Sequence, residues 1–215
     1  MKKNIIYLLL IFPFSSPGQI GIKAGLNFAN VTKVSSINNS SQSGYNIGLF
    51  LSPPSKGIIS SRTELLFSRQ GYNYKTGTNT GNVNLNYLML PQYMAINITR
   101  FFQLQFGGQM GFLLNASVDS SSNTSSGGDP YGSIMDYYNK FDFGYGGGVE
   151  IHPVSGLLVG ARINISLTNL YSDYTSSSTP PSFVPKVDVK NNLLMIYAGW
   201  RFGKQSSSKK KEQSK

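Results

Sequence analysis

The chain has 215 residues and no cysteine, which excludes disulfides, thiol catalysis and iron–sulfur clusters, and its single histidine argues against a histidine-built metal centre. Only 13% of residues are charged, about half the usual share of a soluble domain, while Gly (23), Tyr (13) and Phe (13) are abundant. The net charge of +10 sits largely at the ends: Lys2 and Lys3 open the chain, residues 203–215 carry +4, and the rest is scattered without a basic stripe, so nucleic-acid binding is not indicated.

Lys2-Lys3, an apolar run from Ile5 to Phe14 and small residues Ser15, Ser16 and Gly18 read as a secretory leader, residues 1–18, cleaved after Gly18. The run is too short to span a bilayer as a helix, and no later stretch reaches that length. An exported chain of this kind integrates into a membrane only through strands.

From residue 19 the chain alternates apolar with small or polar residues, the period of strands. In the first, Ile20, Ile22, Ala24, Leu26 and Phe28 oppose Gly21, Lys23, Gly25 and Asn27. The second sets Tyr45, Ile47, Leu49 and Leu51 against Asn46 and Gly48, and the third sets Ile59, Thr63, Leu65 and Phe67 against Arg62, Glu64, Ser68 and Gln70. The fourth, about Asn84 to Ile98, is apolar on both faces, and Pro91 predicts a bulge in it. The fifth opposes Phe102, Leu104, Phe106, Met110, Phe112 and Leu114 to Gln103, Gln105, Gly107, Gln109 and Gly111. The sixth opposes Phe141, Phe143, Tyr145, Val149 and Ile151 to Asp142, Gly144, Gly146, Gly148 and Glu150. The seventh turns Leu157, Val159, Ala161, Ile163, Ile165 and Leu167 away from Gly160, Arg162, Asn164 and Ser166. The eighth, about Asn191 to Phe202, turns Leu194, Ile196, Ala198, Trp200 and Phe202 away from Tyr197, Gly199 and Arg201.

Short connections at Ser52–Gly57, Asn97–Arg100 and His152–Gly156 alternate with long polar ones at Thr32–Gly44, Asn73–Val83, Ala116–Asn139 and Ser172–Lys190. That alternation predicts an all-β, eight-stranded antiparallel up-and-down transmembrane β-barrel over residues 19–203, with outer-membrane lipid and lipopolysaccharide around it. An even strand count puts both termini on the periplasmic side and the long loops outside; residues 204–215 form a basic periplasmic tail expected to be disordered. Phe101, Phe102, Trp200 and Phe202 form one expected aromatic girdle, and Tyr45, Tyr72, Tyr74, Phe141 and Tyr171 the other.

With the polar faces inward, the lumen holds Lys23, Arg62, Arg162 and Arg201 against Glu64, Asp142 and Glu150. Unpaired buried charges are costly, so these seven should pair into a plug. Eight strands leave an interior just wide enough for side chains to fill, which argues against a diffusion pore. His152, in a His-Pro turn two residues after Glu150, has no nucleophile implied beside it and reads as a turn residue. Asp119, Asp129, Asp136 and Asp173 read as solvated loop charge, and Gly144–Gly148 is no phosphate loop because no helix follows it. No cofactor or metal is called for.

The segments GIKAGLNFANV (21–31), GYNIGLFL (44–51), TELLFSRQGYNY (63–74), NYLMLPQYMAI (86–96), LQFGGQMGFLL (104–114), GLLVGARINISLTNL (156–170) and AGWRFG (198–203) together resemble the PorT-like outer-membrane β-barrel family of the Bacteroidetes. The resemblance runs in order over nearly the whole mature chain. It departs at Met89, where relatives often carry an acid, and in the basic tail after Phe202. It implies an eight-stranded outer-membrane barrel, a type IX secretion role for the founding member, and no catalytic residues. The reading is therefore a non-enzymatic barrel, structural or an accessory subunit that meets other outer-membrane or periplasmic proteins. The alternative is a small channel or ligand-binding barrel.

Overall fold

The computed structural model describes residues 19–32, 38–53, 57–76, 79–120, 134–172 and 188–202. The leader, the basic tail, Asp129 and Asp173 lie outside them. Eight strands form a closed barrel: β1 (Gln19–Val31), β2 (Ser40–Ser52), β3 (Ile59–Thr76), β4 (Asn79–Asn97), β5 (Phe102–Ser120), β6 (Phe141–Ile151), β7 (Leu157–Ser166) and β8 (Asn191–Arg201). Each strand pairs antiparallel with the next, and β1 pairs with β8 from Gly21↔Arg201 to Val31↔Asn191, which closes the ring. Both β1's start and β8's end lie at one end, here the terminal end; the long connections emerge at the other, the loop end.

The period-two pattern dictates which face each residue takes. In β1 the buried set is Gln19, Gly21, Lys23, Asn27, Ala29 and Val31, and the exposed set includes Ile20, Ile22 and Leu26. The usual arrangement of a water-soluble domain is inverted. Leu49, Leu65, Phe106, Phe143, Tyr145, Ile163 and Ile196 point outward, whereas Lys23, Arg62, Glu64, Gln105, Glu150 and Arg162 are buried. An apolar outer wall of this extent is stable in hydrocarbon and a liability in water.

Strand limits and irregularities depart from the sequence expectation, and β5 runs on to Ser120, into the loop expected from Ala116. The expected loop Asn73–Val83 is a hairpin: β3 runs to Thr76 and β4 starts at Asn79, with Tyr72↔Val83 and Tyr74↔Gly81 in register. The polar composition there hides an inward alternation of Tyr72, Tyr74, Val83 and Leu85, all buried. The loop expected from Thr32 to Gly44 is also shorter, because β2 begins at Ser40. At Pro91 there is no bulge. The β3–β4 ladder lapses opposite Glu64 and Leu65, since proline has no N–H to give, and resumes in the same register at Leu66↔Met89. The shift falls instead between Asn86 and Tyr87 of β4, where Leu114 of β5 is passed over.

Strands β3 to β5 stand taller at the loop end than β6 to β8. The low side is closed by a 3₁₀ turn, Ile134–Tyr137, and by a bridge between Tyr138 and Tyr171. Tyr72 reaches up from β3 to place its hydroxyl 2.9 Å from that of Tyr138 and 2.6 Å from that of Tyr171. Tyr72, Tyr74 and Tyr171 are therefore interior residues and do not belong to the girdle expected of them. The even-numbered phase that buries Glu64, Ser68 and Gln70 carries Tyr72 inside as well, and Tyr171 turns in to meet it. Tyr45, Phe101, Phe102, Phe141, Trp200 and Phe202 all sit on the outward side.

Burial raises the phenol pKa of Tyr138 and of Tyr171. Both are held neutral in the folded state, so the cap keeps its full stability below the free phenol value of about 10 and loses it as pH rises beyond. Alkaline titration followed by phenolate absorbance and near-ultraviolet circular dichroism should show a late step coupled to loss of signal. In Y138F/Y171F that late step should shrink; an unchanged profile would contradict the cap.

Candidate functional site

The most densely bonded region of the lumen is a charged layer near the terminal end. Arg162 of β7 grips Glu64 of β3 with both terminal nitrogens, Nη1 to Oε2 at 2.9 Å and Nη2 to Oε1 at 3.0 Å. Lys23 of β1 donates to the same carboxylate, Nζ to Oε2, at 3.0 Å. A second fork joins Arg62 of β3 to Glu150 of β6, with Nη2 at 2.8 Å from Oε1 and Nη1 on Oε2. All five groups are essentially without solvent contact. Bidentate guanidinium–carboxylate pairs are among the strongest available contacts, which is what burial at this depth requires.

Neutral side chains complete the layer. Arg162 Nη2 also donates to Gln105 Oε1 of β5 at 2.6 Å, and the Tyr197 hydroxyl of β8 donates to Glu150 Oε2 at 3.1 Å. Lys23 Nζ lies 3.6 Å from the centre of the Tyr197 ring, the Arg162 guanidinium 3.8 Å from that of Tyr93 in β4, and the Arg62 guanidinium 4.9 Å from that of Phe50 in β2. The rings attract the cations by their faces, while Arg62 Nε and Arg162 Nε are buried without a hydrogen-bond partner. Inward glycine makes room for the rings: a Cβ on Gly160 would lie 2.6 Å from the Tyr197 hydroxyl. Every strand of the barrel thus contributes a side chain to one layer.

Two of the seven expected network members lie elsewhere. Asp142 is removed from the layer toward the loop end, where the Ser166 hydroxyl donates to its Oδ2 at 2.5 Å. Its position eight residues before Glu150 on the same inward face places it on another level of the barrel, out of reach of the cations. Arg201 sits at the terminal rim and meets an imidazole in place of a carboxylate, Nη2 being 3.5 Å from His152 Nδ1. His152, read from sequence as a turn residue, in fact turns inward: its Nε2 lies 3.0 Å from Glu150 Oε1. The signal available for it was the two-residue spacing from Glu150.

Above the charged layer lies an amide layer. Asn27 Nδ2 donates to Ser68 Oγ at 2.9 Å and to the backbone carbonyls of Tyr45 and Arg69, and Asn46 Nδ2 donates to Asn27 Oδ1 at 2.7 Å. Gln70 bridges Ser68 and Asn191. Higher still, Ala29, Val31, Val83, Val118, Leu170 and Val189 pack beneath the tyrosine cap. The lumen is filled in three layers of different chemistry. Among the described residues no group of three or more His, Cys, Asp or Glu is placed to hold a metal ion.

Residues 14–172 match the family model described as outer membrane protein beta-barrel domain. Among solved structures, Neisserial surface protein A is similar over 85% of this chain and 97% of its own, at 11% identity and a TM-score of 0.50. The attachment invasion locus protein Ail of Yersinia pestis is similar over 86% of this chain and 99% of its own, at 16% identity and a TM-score of 0.48. OprG of Pseudomonas aeruginosa is similar over 87% and 97%, at 11% identity and a TM-score of 0.43. At such identities the likeness concerns fold alone. No curated protein matches the sequence.

The two carboxylate settings predict unequal costs. Glu150→Gln strands Arg62 without its counter-charge and should destabilise the barrel by about 3–5 kcal/mol. Asp142→Asn keeps a partner in Ser166 and should cost about 1 kcal/mol. Urea unfolding from lipid vesicles measures both; equal costs would contradict the assignment of Glu150 to the layer and Asp142 outside it.

Proposed function

The chain belongs to the outer membrane protein beta-barrel family, and from that premise we propose that it is a sealed, non-enzymatic outer-membrane barrel serving as a structural or accessory subunit of an envelope complex. The observation that carries this reading is the charged layer. It draws on all eight strands, and its forked pairs Arg162–Glu64 and Arg62–Glu150 fill the lumen with groups that would have to be broken to admit a solute.

The motifs quoted from the sequence resemble those of the PorT-like barrels of the Bacteroidetes, and that resemblance supports a type IX secretion complex, the setting of the founding member, as the one this subunit joins. In this reading residues 1–18 are removed on export, the terminal end and the basic tail face the periplasm, and the taller loop end faces outward. The outward aromatics Phe101, Phe102, Trp200 and Phe202 mark one membrane interface, and Tyr45 and Phe141 the other. A lone barrel in lipid needs no basic tail; a subunit has use for one as a docking segment.

Two measurements test the reading. The purified chain in planar bilayers is expected to give no steady conductance, and a reproducible single-channel current would overturn it in favour of a small channel. Mild-detergent isolation from native outer membranes is expected to bring a protein partner in fixed stoichiometry. A monodisperse lone barrel would remove the accessory role.

A further inference from the structure

We propose that the cavity at the terminal end of the barrel binds a phosphate group. This cavity, about 330 Å³, is lined by Arg100, Phe101, His152, Ser155, Gly156 and Arg201 among others, and no carboxylate is present among its described lining residues.

The charge of the lumen points the same way. The cations Lys23, Arg62, Arg162 and Arg201 lie at this end, but only Glu64 and Glu150 oppose them, because Asp142 is occupied with Ser166 at a different level. Glu64 is committed to Lys23 and Arg162, and Glu150 to Arg62, Tyr197 and His152. Arg201 is the outermost lumen cation and, among the described residues, forms no salt bridge; Glu150 acts on it only from beyond His152, and its Nε is buried without a hydrogen-bond partner. A cation held in a low-dielectric wall without a carboxylate of its own is costly, and an anion seated at this mouth would supply a direct counter-charge.

The chemistry favours phosphate. Guanidinium forks match the tetrahedral oxygens of phosphate, and two of them border one cavity. Arg100 rests its guanidinium over the Phe101 ring at 4.5 Å, which steadies the group by its face and leaves its N–H edge to a ligand. The Ser155 hydroxyl adds a neutral donor on the same rim. The exposed rings of Phe101, Trp200 and Phe202 put the cavity at the depth where headgroups begin. The phosphate therefore comes from one of two sources, a phospholipid headgroup or a dissolved phosphate.

Trp200 is the only tryptophan in the chain, and a Cβ on Gly156, which lines the cavity, would lie 3.0 Å from its ring. Its emission is a native reporter. The full chain in non-ionic detergent is titrated with inorganic phosphate against sodium chloride of equal ionic strength. In parallel, nanodiscs containing phosphatidylglycerol are examined by native mass spectrometry for lipid retained after the disc is stripped. A saturable response to inorganic phosphate assigns a dissolved ligand; one-to-one retention of the lipid with no such response assigns a headgroup. In either arm R100Q/R201Q is expected to weaken binding about tenfold or more, and R100Q alone, a change on the exposed rim, carries the test if R201Q fails to fold. Silence in both arms, or binding of equal strength in the variants, would overturn the proposal.

Discussion

Glu64 accepts from Lys23 and from both arms of Arg162, so one carboxylate ties β1, β3 and β7 across the lumen. Glu150 repeats the arrangement with Arg62, Tyr197 and His152, joining β3, β6 and β8. Backbone ladders hold neighbouring strands; side chains hold strands that are not neighbours, and these are the charged contacts among them, beside neutral ones such as Asn27 with Ser68 and Asn191 with Gln70. The Glu64 contact also falls where the β3–β4 ladder lapses opposite Pro91. Burying five charges is costly in isolation, and it is sustained here because each carboxylate receives several donors and each cation also meets a ring.

The remainder of the barrel is arranged around that layer. Above it, amides and hydroxyls satisfy one another, with Asn27 at the centre, and above them an apolar cluster is closed by Tyr72, Tyr138 and Tyr171. A gradient from charge to hydrocarbon runs along the lumen while the outer wall stays apolar throughout its middle. The two ends consequently have different chemistry. The loop end is sealed by packing and shared hydroxyl protons, and the terminal end by a basic rim with cations in excess of the carboxylates beneath it.

Much of this was legible in the sequence, and for a physical reason. A barrel of this size sorts residues by a period of two, so Lys23, Arg62, Glu64, Glu150 and Arg162 declared their face without any knowledge of neighbours. A sequence period reveals face but not level along the barrel axis. Asp142 and Glu150 share a face, but only the register between strands decides that Glu150 meets Arg62 and Asp142 meets Ser166. Tyr72, Tyr74 and Tyr171 are aromatic yet interior because phase outweighs aromatic identity; counting on from Gln70 puts Tyr72 and Tyr74 inside. The polar β3–β4 hairpin read as a loop because composition there masks the alternation of Tyr74, Val83 and Leu85. His152 keeps the phase of Glu150 two residues earlier although the strand has already ended, so its turn position hides the inward face that the spacing offers.

A double-mutant cycle between Glu64 and Arg162 measures whether the charged layer fastens the ring. The wild-type chain, E64Q, R162M and E64Q/R162M would each be unfolded by urea from lipid vesicles, and the coupling taken from the four free energies. If the charged layer binds the barrel together, each single change costs about 3–5 kcal/mol and the double change costs far less than their sum. Additive costs, or single changes near zero, would mean that the backbone ladders alone hold the ring and that the layer is filling, not fastening.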